Sequence, residues 1–432
     1  MSDSSESVAN SRPGIRGPWR GRVSGARASV VANLAGGLAI QSLGVVTGTL
    51  LARGLGPHDR GVIAAMVLWP TLVVAIGDFG IGSALAFYAA QEPRAARRYV
   101  QLAERAAVVV AAVLMPVGVL IAYAGLTESG INAVGTGLLL ALVFIPAAIV
   151  SRYIAGLAQG LLNFGVFYAI RLSMSVSIAV VLAIELLIGQ MSVASAVAAY
   201  LVGLSAMVVV TVGVKGLLAR GQLGSEPPSI RVLTSYGLRS LFGALYPAEI
   251  LFVDQIIVAV ALGPRELGLY AAALAFTTLP RVLAEAIATA AFPHVTRAAD
   301  PRRPVVRFLA AGALVLLPCG VALTMMMPWL VVTIFGPMFS EAIDPAKLLI
   351  WGSILFGLRR IAGDALRGLG VPGRASAIEA GTWPIMVGVL AIAARDGLAA
   401  VAVGLVGVQM LALAGSLIVL GRALREHDRL GR

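Results

Sequence analysis

Apolar runs of about 20 residues or more succeed one another along nearly the whole chain, and short polar segments separate them. About 20 apolar residues are what a helix needs to cross a bilayer. The pattern predicts twelve spans, at about 28–52, 62–90, 103–124, 134–157, 165–189, 193–216, 236–261, 268–292, 308–335, 346–368, 374–394 and 397–421. In lipid a backbone must satisfy its own hydrogen bonds, so the spans are helices. The short alternating strands of a membrane barrel are absent from the pattern.

One short pattern occurs twice. Leu55-Gly56-Pro57-His58-Asp59-Arg60-Gly61 runs on into Ala64-Ala65, and Leu262-Gly263-Pro264-Arg265-Glu266-Leu267-Gly268 runs on into Ala271-Ala272. The offset is a constant 207 residues. Each copy lies between two apolar runs and reads as a tight loop between helices. A duplicated helical unit predicts an all-α polytopic membrane protein of two six-helix lobes, 28–216 and 236–421. Six spans return the chain to its starting side, so the lobes are parallel and related by a pseudo-two-fold axis along the membrane normal. A cavity is expected between them. The basic segment 217–235, with Glu226-Pro227-Pro228, joins the lobes, and 422–432 forms a C-terminal tail. Residues 1–27 are rich in Ser, Gly and Arg and lack a signal peptide's apolar core. They are expected to be a disordered cytoplasmic tail.

Composition agrees with the pattern. Hydrophobic residues make up 59% of the chain, charged residues 12%, and the mean hydropathy is +0.92. Soluble proteins carry about 25% charged residues. The net charge of +12 has a location that explains it. Arg94, Arg97 and Arg98 follow the second span, and Arg297, Arg302, Arg303 and Arg307 follow the eighth. Loops after odd-numbered spans hold few bases, chiefly Arg53, Arg60 and Arg265. By the positive-inside rule both termini are cytoplasmic in a multi-pass protein of the cell membrane. The charge therefore calls for no nucleic-acid partner. A lone Cys319 and three scattered histidines (His58, His294 and His427) offer no disulfide framework and no Cys or His metal site. No Walker loop or Ser-His-acid grouping can be assembled, so the pattern implies no cofactor and no enzyme.

Charges inside spans cost about 2.5–3.5 kcal/mol each on insertion scales and should face protein or water. They include Asp78, Arg152, Arg171, Glu185, Arg359, Arg360, Asp364 and Glu379. The repeat maps Asp78 onto Glu285. Asp78 sits in Gly77-Asp78-Phe79-Gly80-Ile81-Gly82, where glycines loosen the helix. It is expected either to cap a broken helix or to face Glu285 across the pseudo-axis. Arg281 lies one turn from Glu285 and can pair with it, and Pro280 before it suggests a kink. In the seventh span Arg239, Phe242, Tyr246 and Glu249 form one helical stripe, with Asp254 displaced around the helix. Glu249 and Asp254 have no base nearby on their own helix. Arg360, Asp364 and Arg367 form a further stripe in the tenth span. Gly36-Gly37 reads as close helix packing.

Asn33 with the helix ending Leu50-Leu51-Ala52-Arg53-Gly54-Leu55-Gly56-Pro57, then Gly61, then Asp78-Phe79-Gly80-Ile81-Gly82-Ser83-Ala84-Leu85, resembles polysaccharide-biosynthesis membrane proteins. These are Wzx-type flippases of the multidrug/oligosaccharidyl-lipid/polysaccharide (MOP) exporter superfamily. The resemblance implies a MATE-like fold, alternating access and a cavity lined by spans 1, 2, 7 and 8. It implies transfer of a polyprenyl-diphosphate-linked glycan from inner to outer leaflet, with membrane lipids and polysaccharide assembly proteins as further partners. On that basis Arg239, Phe242, Tyr246 and Arg281 are candidate substrate contacts, and Asp78, Glu249, Asp254 and Glu285 are candidate cavity acids. Two alternatives stand beside this reading. One is a cation-coupled multidrug exporter of the same superfamily. The other is a membrane-embedded glycosyltransferase or polymerase, which the short external loops disfavour.

Overall fold

The computed structural model describes residues 23–127, 131–219, 229–244, 252–298 and 300–430, with side chains from residue 35 onward except at 131–132, 239–244, 293, 297, 372 and 427–430. The described residues hold helices and no strand. In chain order the helices are α1 (Val23–Gly77), α2 (Ile81–Gln91), α3 (Ala96–Leu126), α4 (Ile131–Gly160), α5 (Phe164–Ile188), α6 (Val193–Leu218) and α7 (Ile230–Ala244). There follow α8 (Val253–Leu262), α9 (Pro264–Ala275), α10 (Thr278–Arg297), α11 (Arg302–Phe335), α12 (Ile343–Gly368), α13 (Pro372–Ala393) and α14 (Leu398–Leu430).

Helix α1 has 55 residues. At 1.5 Å per residue it is far longer than a hydrocarbon core of about 30 Å. It is two spans joined at Gly56, whose φ of 75° and ψ of 179° break the helix. The second copy of the motif breaks at Gly263 with φ 83° and ψ −177°. Glycine takes this backbone without a Cβ clash, and the following proline starts the next helix with its φ already set. The duplicated motif is thus a one-residue hinge between helices, tighter than the loop its sequence suggests.

Among the described residues, eight helices are long and apolar enough to cross a membrane, and α9 with α10, bent by 46°, would make a ninth. The α1 segment in that set covers two crossings. Helix α12 is 26 residues long but carries Arg359, Arg360, Asp364 and Arg367. With α12 and both crossings of α1 the described residues give eleven, and the seventh expected span, to which α7 and α8 belong, includes residues 245–251 outside the described residues; the total is consistent with about twelve.

The first six spans pack on one another, as do the last six. The hinges meet between them. A Cβ on Gly61 would land on the Pro264 carbonyl and 2.9 Å from the Gly268 nitrogen. Reciprocally, a Cβ on Gly268 would land on the Pro57 carbonyl and 2.9 Å from the Gly61 nitrogen. This reciprocity places the pseudo-two-fold axis between the two copies of the motif. A second contact joins α2 to α7, where the backbones of Gly80 and Gly237 touch. There Phe87 stacks on Tyr236 with ring centres 4.5 Å apart.

Candidate functional site

The glycines around Asp78 do break the helix. Helix α1 ends at Gly77 and α2 begins at Ile81, with Phe79 (φ 48°) and Gly80 (φ 66°) left-handed between them. Helix α4 packs directly on α2, because Gly156 lies against the Gly82 carbonyl and Gly160 against that of Ala86. One turn before Gly156, Arg152 reaches the break. Its Nε lies 2.9 Å from Asp78 Oδ2. The carboxylate is 4% exposed, whereas the Arg152 side chain is 50% exposed. The acid therefore fixes the arginine by Nε, and the remaining face of the guanidinium fork stays accessible.

That arginine lines a cavity of about 780 Å³ inside the N-terminal lobe. Helices α1, α2, α4, α5 and α6 form its walls, and Phe252 from the seventh span borders it. Arg171 projects from α5 into the wall, its guanidinium carbon 5.3 Å from the Phe167 ring centre. Among the described residues no ion pair involves Arg171. Tyr168 lines the cavity and fills the space that Gly36 leaves on α1, as the close-packing reading of that glycine anticipates. Ser151 and Thr211, 3.0 Å apart, tie α4 to α6 behind it. Among the described residues two guanidiniums face one carboxylate, so that part of the lining is net cationic, with aromatic faces and the polar Ser83 and Gln159 beside them.

The resemblance implied a cavity between the lobes on spans 1, 2, 7 and 8; residues 245–251 of the seventh span lie outside the described residues, and the cavity described above is walled by the first lobe with Phe252 at its border. Asp78 lines it as expected. Asp78 and Glu285 do not face each other across the axis, because each is held by an arginine of its own lobe. Glu285 pairs with Arg360 at 3.2 Å, and Arg281 lies 5.5 Å from the Phe356 ring centre. The kink near Pro280 is present as the break at Phe276 and Thr277. Asp254 opens α8 and accepts a 2.7 Å hydrogen bond from Tyr270, a partner on α9 that its own helix could not reveal. Arg239 and Phe242 lie on α7 with side chains outside the description, and Tyr246 and Glu249 lie outside the described residues.

In the sequence Arg152 and Arg171 stand out only as intramembrane charges. Further copies of the repeat would have found them. Arg152-Tyr153-Ile154-Ala155-Gly156-Leu157-Ala158 matches Arg359-Arg360-Ile361-Ala362-Gly363-Asp364-Ala365 at the same offset of 207. Val181-Leu182-Ala183-Ile184 matches Val389-Leu390-Ala391-Ile392 at 208, and that register aligns Arg171 with Glu379. In the second lobe Arg359 and Glu379 pair at 3.4 Å.

Comparison with known proteins completes the picture. The model of a family described as polysaccharide biosynthesis protein matches residues 50–344, more than half of the chain. No curated protein matches. An inward-facing multidrug resistance MATE family transporter of the MOP superfamily superposes with a TM-score of 0.74 at 15% identity, over 90% of this chain and 96% of the other. An outward-facing one gives 0.63 at 16% identity, over 94% and 96%. A MOP superfamily transporter from Pyrococcus furiosus, described as having a binding pocket of reverse polarity, gives 0.63 at 17%, over 93% and 95%.

Proposed function

The chain belongs to the polysaccharide biosynthesis protein family, and from that premise we propose that it flips a polyprenyl-diphosphate-linked oligosaccharide from the inner to the outer leaflet of the cell membrane by alternating access. Membership in this family and the MATE-like transporter fold support a multi-pass membrane transporter. The net-cationic cavity of the first lobe carries the choice of substrate. A diphosphate needs cationic donors, and guanidinium grips phosphate with two parallel hydrogen bonds. Arg152, already fixed by Asp78 through Nε, offers its outer edge. Arg171 supplies the second cation, and Phe167 and Tyr168 offer flat faces for sugar rings. Arg239, Phe242 and Tyr246 remain candidate substrate contacts of the seventh span, whose helix α7 touches the cavity's Gly80 through Gly237. Glu249, Asp254 and Glu285 are candidate coupling acids, and Arg281 is a secondary cation. The termini are cytoplasmic in this scheme, so the hinge loops lie outside.

A cation-coupled drug exporter is the second reading, favoured by the buried Asp78 at the cavity wall. An excess of arginine over acid opposes a cationic drug in the same space. The test is glycan export in cells whose own exporter has been deleted. Arg152→Ala and Arg171→Ala should each lower export at least ten-fold at equal protein level, with lysine restoring it only in part. Normal export in both alanine variants, together with drug resistance that depends on Asp78, would transfer the protein to the second reading.

A further inference from the structure

Positive charge is sparse on the loops assigned to the outside, yet the first of them has Arg53 and Arg60. Both reach across to the other lobe. Arg60 is 5% exposed and donates to the Gly268 carbonyl at 3.0 Å. Its guanidinium carbon lies 4.8 Å from the Phe335 ring centre and 5.4 Å from that of Phe339. Arg53 Nε donates to the Ile334 carbonyl at 3.0 Å, and its Nη2 to that of Thr333. Those carbonyls belong to the last turn of α11, where intrahelical donors have run out and a cation is favoured by the helix dipole. The short turn Pro337–Ala342 then folds over the hinges, with Met338 beside Gly56.

We propose that Arg53 and Arg60 form an external latch that holds the outer ends of the two lobes together and sets how often the cavity opens outward. The inference rests on the alternating-access reading above. Its chemistry suits a contact that must reopen. Among the described residues no carboxylate pairs with Arg60. Among the described residues its partners in the other lobe are one carbonyl and two ring faces, all neutral. Opening the lobes therefore strands no buried anion, and water can replace each contact. A flat guanidinium can stack on two rings and still donate in its own plane, which an ammonium cannot do. The latch is also asymmetric. The repeat places Leu267 opposite Arg60, so one lobe supplies the cation and the other the receptor.

The test is external labelling of a cavity cysteine. Cys319→Ser gives a cysteine-free background, and Ser83→Cys, on the cavity wall, gives the reporter. A membrane-impermeant thiol reagent is applied to intact cells and, separately, to inverted vesicles. Arg60→Ala should raise the external labelling rate at least ten-fold, and Arg53→Gln and Phe339→Leu by several-fold, while labelling in inverted vesicles persists. If Arg60→Ala fails to reach the membrane, Arg53→Gln and Phe339→Leu decide the matter. Unchanged external labelling in folded variants would overturn the latch. Labelling does not depend on cargo. A raised rate in a protein that exports no glycan would therefore support the latch and count against the proposed substrate alone.

Discussion

The two lobes share a scaffold and differ in what they do with its charges. In the first, Arg152 looks into a cavity, and its neighbour from the next span is Arg171. In the second, the equivalent Arg359 is 5% exposed and closed over by Glu379, with Asp364 and Arg367 paired at 2.9 Å alongside. A change of sign at one repeat position, arginine to glutamate, separates a wall that repels itself from one that seals. Two like charges favour water or an anion between them, whereas opposite charges in low dielectric pull the helices together. The lesson is that duplication supplied two equivalent frames, and side-chain charge decided which frame stayed hollow.

The largest expected effect lies in the sealed lobe. Glu379→Leu removes a charged partner of the buried Arg359 and should cost up to about 3–5 kcal/mol. It should be seen as a lowered thermal midpoint of the purified protein. Arg171→Ala should cost well under that, because its side chain faces a cavity. If the two variants lose stability equally, the contrast between lobes collapses. Where the lobes are alike, the effects should match. Gly61→Ala and Gly268→Ala each push a methyl into the other's backbone, an overpacking worth about 1–3 kcal/mol. Gly37→Ala, which meets nothing within 4 Å, should be nearly neutral. Unequal losses at Gly61 and Gly268 would show that the axis contact is not reciprocal.

The smallest effect belongs to the exposed pair of Arg265 and Glu341, 2.7 Å apart. The hydrogen bond from Arg265 holds the Glu341 carboxyl below the usual carboxylate range. A depressed carboxylate contributes above its unfolded pKa and loses that contribution as pH falls through the folded value. Exposed pairs are worth little. External labelling of the Ser83→Cys reporter should therefore change less than two-fold with Glu341→Gln. A large change would show that the turn Pro337–Ala342 controls opening through its own lobe, and not only through the arginines of the first lobe.

Much of the fold was legible in the sequence because lipid enforces it. Span length, span number and the position of the repeat follow from hydropathy and from Gly56 and Gly263. The break at Asp78 was visible in its glycines. The site was less legible. A sequence shows that Arg152 and Arg171 are intramembrane charges, but not that α4 packs against α2 at Gly156 and Gly160 and so brings Arg152 to Asp78. Partners from other helices, such as Tyr270 for Asp254 and Arg360 for Glu285, are tertiary facts that helical periodicity cannot supply. The weaker copies of the repeat, at offsets of 207 and 208, held the missing signal.

The central claim is that the cavity of the first lobe binds a diphosphate through Arg152 and Arg171, and the sign of position 171 tests it most directly. The measurement is the affinity of purified protein for a polyprenyl diphosphate, in wild type and in Arg171→Glu, at fixed ionic strength. The account predicts that Arg171→Glu weakens binding at least ten-fold, equivalent to about 1.4 kcal/mol or more. The variant should keep its thermal midpoint, because the introduced carboxylate can pair with Arg152 as Glu379 pairs with Arg359. Undiminished affinity in a folded Arg171→Glu protein would contradict it.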